Sequence, residues 1–314
     1  MNRTQLARLC WRSGFFALFL LAPPLDLFRY DLTRGHFVLL GQAWTLGIDA
    51  GSALPASLNL ILRGLLPVIA LVGIGLWVAW RYGRLYCGWL CPHFSVVEIV
   101  NALLRRATGK LSLWEREALP TRQSDGTRIE PRAAWWVAVA VAVTGFALLW
   151  AVTLLTYLLP PAEVWGNLVH GTLTRNQALF LGVASALLVI EFTLARHLFC
   201  RYGCAVGLFQ SLVWMGNPRA LAVGFDRRHA TVCADCDASC EHACPMRLQP
   251  RRIKRRMFTC TQCQQCIQAC DRVNAPRGRP GVLRMLEGDC AQAHTVGESR
   301  RREDTARDCF PRAR

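Results

Sequence analysis

Long uncharged runs alternate with charged loops along the first two thirds of the chain. A bilayer core takes about 20 mostly apolar residues in a helix. From Ala133 to Ala162 no residue is charged. A second run spans about Leu58 to Trp80, with Arg63 placed to snorkel at its end. A third, about Gln177 to Ala195, is interrupted only by Glu191. The weakest is Phe15 to Ala22, which runs into Pro23, Pro24 and Asp26. Arg3, Arg8 and Arg12 precede it in the manner of a signal peptide, but Leu21-Ala22-Pro23-Pro24 is a poor cleavage site. The pattern predicts an uncleaved anchor and four membrane spans.

Charge then orients the spans, because cytoplasmic loops carry excess Lys and Arg. The first 12 residues, the loop 81–132 and the stretch from Arg196 onward are basic; the loops 25–57 and 157–177 are not. This alternation predicts a multi-pass protein of the bacterial cytoplasmic membrane with both termini in the cytoplasm. The net charge of +16 therefore reads as topology and contact with membrane lipid, not nucleic acid. Its densest cluster, Arg251, Arg252, Lys254, Arg255 and Arg256, reads as a solvated face or a docking surface for an acidic partner. Within the spans, Glu191 reads as a carboxylate paired with Arg196 or His197, or as a proton site.

Cysteine changes the picture. There are 15, nearly all on the predicted cytoplasmic side, where disulfides are not the default and metal ligation is. Cys260-x-x-Cys263-x-x-Cys266-x-x-x-Cys270 has the ferredoxin spacing for a [4Fe–4S] cluster. Cys233-x-x-Cys236-x-x-x-Cys240-x-x-x-Cys244-Pro245 is a second run with one extra residue before Cys240. In two-cluster ferredoxins the fourth cysteine of each run crosses to the other cluster. That rule groups Cys260, Cys263, Cys266 and Cys244 around one cluster and Cys233, Cys236, Cys240 and Cys270 around the other. Zinc is the alternative metal for paired C-x2-C units; four cysteines in each compact run favour iron–sulfur. No G-x-G-x-x-G follows a strand, so a nicotinamide or flavin domain is not indicated.

Four more cysteines sit at span ends. Cys87 and Cys91 follow the second span, and Cys200 and Cys204 follow the fourth. Each pair precedes an amphipathic stretch, which makes an internal repeat of two spans, Cys-x-x-x-Cys and a surface helix. Within a helix the i, i+4 spacing would put both thiols on one face; alternatively Cys91-Pro92 opens the surface helix, since proline suits a first turn. A four-thiolate set suits Cu(I), zinc or another iron–sulfur centre, with His93 as a candidate extra ligand. Ala205 stands where the first copy has Pro92, so the copies differ. Cys10, Cys290 and Cys309 carry no motif.

These residues resemble the membrane polyferredoxin superfamily, and in particular the CcoG/FixG-type cytochrome c oxidase accessory proteins. The resemblance rests on Tyr86-Cys87-Gly88-Trp89-Leu90-Cys91-Pro92, on Phe199-Cys200-Arg201-Tyr202-Gly203-Cys204, and on Phe258 through Val273. It implies two [4Fe–4S] clusters, copper at Cys87, Cys91, Cys200 and Cys204, and a role in maturing a cbb-type oxidase alongside its assembly factors. The related NapH-type proteins imply instead a quinone pool and a partner oxidoreductase, and a redox-sensing assembly protein is a third reading. The accessory family usually carries a fifth span and an immunoglobulin-like domain, which are not found here. The expected fold is mainly α. A four-helix membrane domain occupies residues 1–220, a bacterial-type two-cluster ferredoxin-like domain residues 221–286, and a disordered basic tail residues 287–314.

Overall fold

The computed structural model describes residues 2–48, 55–296 and 309–310. The chain is mainly helical, as expected. Among the described residues, three helices are long and apolar enough to cross a membrane: Ala56–Tyr82, Trp135–Thr156 and Arg175–Ala195. They cover the strongest runs of the sequence pattern within a few residues. Their apolar side chains remain exposed, Leu71, Ile74, Val141 and Leu179 among them. Apolar surface on this scale calls for lipid around it.

The expected N-terminal span lies in the helix Arg3–Leu21, which is not among these three. Its apolar half, about ten residues, rises only about 15 Å, half of a ~30 Å hydrocarbon core. Its charged half is committed elsewhere. Arg8 is 2% exposed. Its Nε donates to the Gly88 carbonyl at 2.7 Å, and its Nη2 pairs with Glu98 at 2.7 Å. Arg12 pairs with the second Glu98 oxygen.

Contacts divide the chain into two compact units. One comprises Ser13–Gly75 and Ala140–Leu194. The loop expected after the first apolar run contains a three-stranded antiparallel sheet: β1 (Phe28–Asp31), β2 (His36–Leu39) and β3 (Gln42–Trp44). Asp31 pairs with His36 in the register, and the Asp31 carboxylate accepts from the Thr33 and Arg34 amides to close the turn. The Tyr30 amide donates to the Tyr157 carbonyl, and the Tyr157 ring stacks on Phe19. Thr174 and Gln177 form a capping box at the start of the Arg175–Ala195 helix.

The other unit comprises Met1–Arg12, Leu76–Val139 and Ala195–Arg314. It thus groups the span-end cysteine motifs with both ferredoxin runs, across the boundary expected at residue 220. Cysteine is a principal material of its core. Cys200, Cys240, Cys244, Cys260, Cys266 and Cys270 are buried with Phe94, Trp214, Met246, Met257 and Leu283. Two antiparallel strands, β4 (Ala222–Phe225) and β5 (Leu283–Leu286), close one side.

Two expectations change in this unit. Lys254 is not part of a solvated basic face: it is fully buried. Its Nζ donates to the carbonyls of Trp214 and Asn217 at 3.0 and 2.6 Å and lies 4.5 Å from the Trp214 ring centre. Only Arg252, Arg255 and Arg256 of the cluster are exposed. The stretch expected to be a disordered tail begins with a helix, Asp289–Val296, and Cys290 is disulfide-bonded to Cys309. Phe310 and Leu286 pack beside that bond. The rest of the expected tail, 297–308 and 311–314, lies outside the described residues.

The Arg8–Glu98–Arg12 triad gives the first testable consequence. Replacing Glu98 by alanine leaves two largely buried guanidinium groups without their counter-charge. Removing one partner of a buried pair costs roughly 3–5 kcal/mol. Thermal unfolding of Glu98→Ala in detergent is expected to show a large drop in midpoint, and Glu98→Asp a smaller one.

Candidate metal centres

Both ferredoxin runs use the same local device. A residue in the left-handed backbone region starts the helix that bears the third cysteine. In the first run that residue is Ala238 (φ 60°), followed by the short helix Ser239–His242 with Cys240. In the second it is Gln264 (φ 60°), followed by the helix Gln265–Asn274 with Cys266 and Cys270. Gln262, between Cys260 and Cys263, also has positive φ. Left-handed backbone is unfavourable for residues with a side chain, so burial of the loop must hold it. The Gln262 amide does so by donating to the Leu221 carbonyl at 3.2 Å.

The two helices pack together, and the cysteines sort into two small cavities. Cys244, Cys260, Cys263 and Cys266 line one, with Val223, Met246, Leu248 and Met257 around them. Cys233, Cys236, Cys240 and Cys270 line the other, with Arg251, Asn274, Val282 and Leu283. Each cavity thus takes three cysteines from one run and the fourth from the other, and Cys240 lines its cavity despite the extra residue before it. Hydrogen-bond donors reach the sulfurs: the Leu248 amide to Cys244 Sγ at 3.4 Å, and Asn274 Nδ2 to Cys270 Sγ at 3.5 Å.

Burial governs the thiols electrostatically. It pushes Cys240 and Cys244 up to about 12, and raises Cys260, Cys263 and Cys266 as well. Nearby Arg251 opposes the rise at Cys240 and Cys233. A buried thiol therefore keeps its proton unless a cation replaces it. Among the described residues, no three His, Cys, Asp or Glu side chains close around a single-ion position. Four cysteines as the metal-ligating side chains of each cavity, with amide donors to sulfur, fit a multinuclear iron–sulfur group better than zinc.

The span-end motifs settle the choice between the two local readings. Cys91 is not helical; it caps the helix Pro92–Thr108, with Pro92 in the first turn. Cys204 caps the helix Ala205–Met215 in the same way. Their partners lie in tight turns: Cys87 in Leu85–Trp89, and Cys200 in the π-helical turn Phe199–Gly203. Cys87, Cys91 and Cys204 interact electrostatically, and burial raises Cys91 to about 11. Cys200 Sγ lies 3.7 Å from His93 Nδ1, and Cys87 Sγ lies 3.5 Å from the Gln210 amide oxygen.

The first motif is fastened to the second ferredoxin loop by backbone contacts. Trp89 Nε1 donates to the Gln262 carbonyl at 3.2 Å. A methyl group added at Gly88 would overlap the Thr261 carbonyl. Gln5 Nε2 donates to the Cys263 carbonyl at 2.8 Å. Arg84, 1% exposed, donates to the Cys200 carbonyl at 2.7 Å and acts electrostatically on both Cys87 and Cys260. Gly207 leaves the space its guanidinium occupies. Gln5, Arg84 and Gly207 did not stand out in the sequence, and Gly88 was noted only as part of the cysteine motif. Arg8 and Arg84 were absorbed into the charge count of the loops, and the only available signal was their position beside span ends.

The 4Fe-4S binding domain family matches the chain twice, over residues 65–110 and 176–219. Those segments hold Cys87 and Cys91 in one and Cys200 and Cys204 in the other, which recovers the internal repeat. The putative electron transport protein YccM of Escherichia coli is 25% identical over 60% of this chain and 48% of its own length. The nitrogen fixation protein FixG of Rhizobium meliloti is 27% identical over 68% of this chain and 42% of its own. The ferredoxin-type protein NapH of Escherichia coli is 24% identical over 60% and 59%. The chain is similar to the membrane polyferredoxins. It spans about half the length of the first two of these relatives. No solved structure matches it.

Two outcomes follow for this protein. In metal-free protein the unfolded thiols ionise near 9.0 while buried Cys240 and Cys244 hold their protons to about 12. Folded-state values raised in this way mean that stability falls as pH climbs from 9 toward 12. Urea unfolding across that range is expected to show the decline, with a shallower slope in a Cys240→Ser/Cys244→Ser variant. Gly88→Ala forces the Thr261 backbone to move. Overpacking costs roughly 1–3 kcal/mol, and the variant is expected to unfold at lower temperature and bind less iron than wild type.

Proposed function

We propose that this chain is a membrane-bound iron–sulfur electron carrier in which two buried centres feed a third set of thiolates at the span ends. Cys244, Cys260, Cys263 and Cys266 hold one [4Fe–4S] cluster, and Cys233, Cys236, Cys240 and Cys270 hold the other. When bound, such a group accepts and releases one electron at a time. The observation that carries this reading is the sorting of eight cysteines from two runs into two cavities of four.

The chain's own residues set the working conditions. Val223, Met246, Leu248 and Met257 exclude water from one centre, while Val282 and Leu283 do so at the other. Amide donors at Cys244 and Cys270, with Arg251 and Arg84 nearby, offset thiolate charge and make an added electron less costly. The contact of Gly88 with Thr261 brings the Cys87/Cys91 turn against the Cys260 loop with no side chain intervening. This juxtaposition supports Cys87, Cys91, Cys200 and Cys204 as the exchange point with a redox partner.

The match to a 4Fe-4S binding domain across these four residues favours a further iron–sulfur centre there over copper. Reduction of copper during maturation of a cbb-type oxidase is the finer reading from the family resemblance. In that case copper is the substrate held by the same thiolates.

Iron analysis and EPR of the reduced full-length protein test the assignment. Cys263→Ala is expected to remove one of two low-potential signals and roughly four irons; persistence of both signals unchanged would overturn the ligand sets. Cys87→Ala with Cys200→Ala separates the readings of the third site. Loss of further iron supports a cluster, and loss of bound copper supports the copper reading. Retention of both metals in full refutes a metal role for these residues.

A further inference from the structure

A separate cavity of about 730 Å³ opens beside Cys244 in the cysteine-bearing unit. Its volume falls in the range of roughly 300–1,000 Å³ typical of small-molecule sites. Its walls come from the helices Pro92–Thr108, Ser239–His242 and Gln265–Asn274 and from the chain's first residues. Four polar atoms of lining residues are buried and have no hydrogen-bond partner: Asn101 Oδ1, Arg105 Nε, His242 Nδ1 and Gln268 Nε2. Buried polar groups are nearly always satisfied, and four in one cavity call for a common partner.

The charges around it point to the sign of that partner. Three arginines and two carboxylates line the cavity. Glu98 is already neutralised by Arg8 and Arg12. Arg247 pairs with Glu115 at 3.3 Å, and Arg272 with Asp125 at 2.9 Å. Arg105 makes no ion pair among the described residues. Asp271 is the remaining carboxylate and is set against this positive excess. A guanidinium and a carboxamide N–H that lack acceptors recognise oxygen anions.

We propose that this cavity binds a small, water-soluble oxyanion, a carboxylate or a phosphate. Arg105 Nε is the charged anchor, Gln268 Nε2 and a protonated His242 Nδ1 donate beside it, and Asn101 Oδ1 accepts from a hydroxyl of the same ligand, such as the P–OH of hydrogen phosphate. The site is independent of the thiolate sets, although Cys244 belongs to the walls of both cavities.

The test is calorimetric titration of the full-length, cluster-loaded protein in detergent with inorganic phosphate, with citrate, and with glycerol as a neutral control, at fixed ionic strength. Saturable binding of phosphate or of citrate, but not of glycerol, is expected, and whichever binds identifies the oxyanion class. Affinity is expected to fall at least tenfold in Arg105→Gln and in Gln268→Leu. It is expected to be unchanged in Arg128→Gln, an exposed arginine outside the cavity. EPR confirms that each variant retains its clusters, and Gln268→Leu serves alone if Arg105→Gln does not fold. Absence of saturable anion binding, or binding that survives both cavity substitutions, would overturn the proposal.

Discussion

Placing thiols where water cannot reach them is the constraint on which the cysteine-bearing unit depends. Ordinary domains bury carbon; this one buries sulfur in the positions that carbon would take, with six cysteines in a single core cluster. As thiols they pack like small hydrophobes. As thiolates they are ruinous to bury alone, which is why burial raises Cys240 and Cys244 so far. The surrounding features follow from this. Donors approach sulfur, arginines 84 and 251 sit beside the groups, and the loops accept left-handed backbone at Ala238, Gln262 and Gln264 to turn thiols inward.

Much of this was legible in the linear sequence because the chemistry is local. The spacing of the cysteines marks both runs, and each cavity is lined by three cysteines of one run and the fourth of the other. Long uncharged runs likewise declared the three apolar helices. What escaped depends on partners distant in sequence. Lys254 looked solvated among four arginines, and only the fold shows the carbonyls of Trp214 and Asn217 closing on it. Arg8 looked like part of a topology signal, and only the fold shows that its partner is Glu98. Cys290 and Cys309 had no motif because a disulfide has no spacing rule.

The duplicated span-end motif shows how a repeat tolerates divergence. Both copies place the second cysteine at a helix N-terminus, one with proline in the first turn and one with Ala205. The capping position is thus the shared element, and Pro92 only pre-sets the backbone there. The first cysteines differ more, one in an α-helical turn and one in a π-helical turn. The asymmetry matches their neighbours: Cys87 faces the Gln210 amide, and Cys200 faces His93.

The bond from Gln5 to the Cys263 carbonyl joins positions 258 residues apart. Together with the grip of Arg8 on Gly88, it has a consequence for biogenesis. The N-terminal helix leaves the ribosome well before the loop it helps to seat. Chains fold from the N-terminus as they are made, so Arg8, Gly88 and Glu98 can dock long before Cys260 and Cys263 exist. The earlier segment then stands as a prepared surface, against which Cys260 and Cys263 close as soon as they are made.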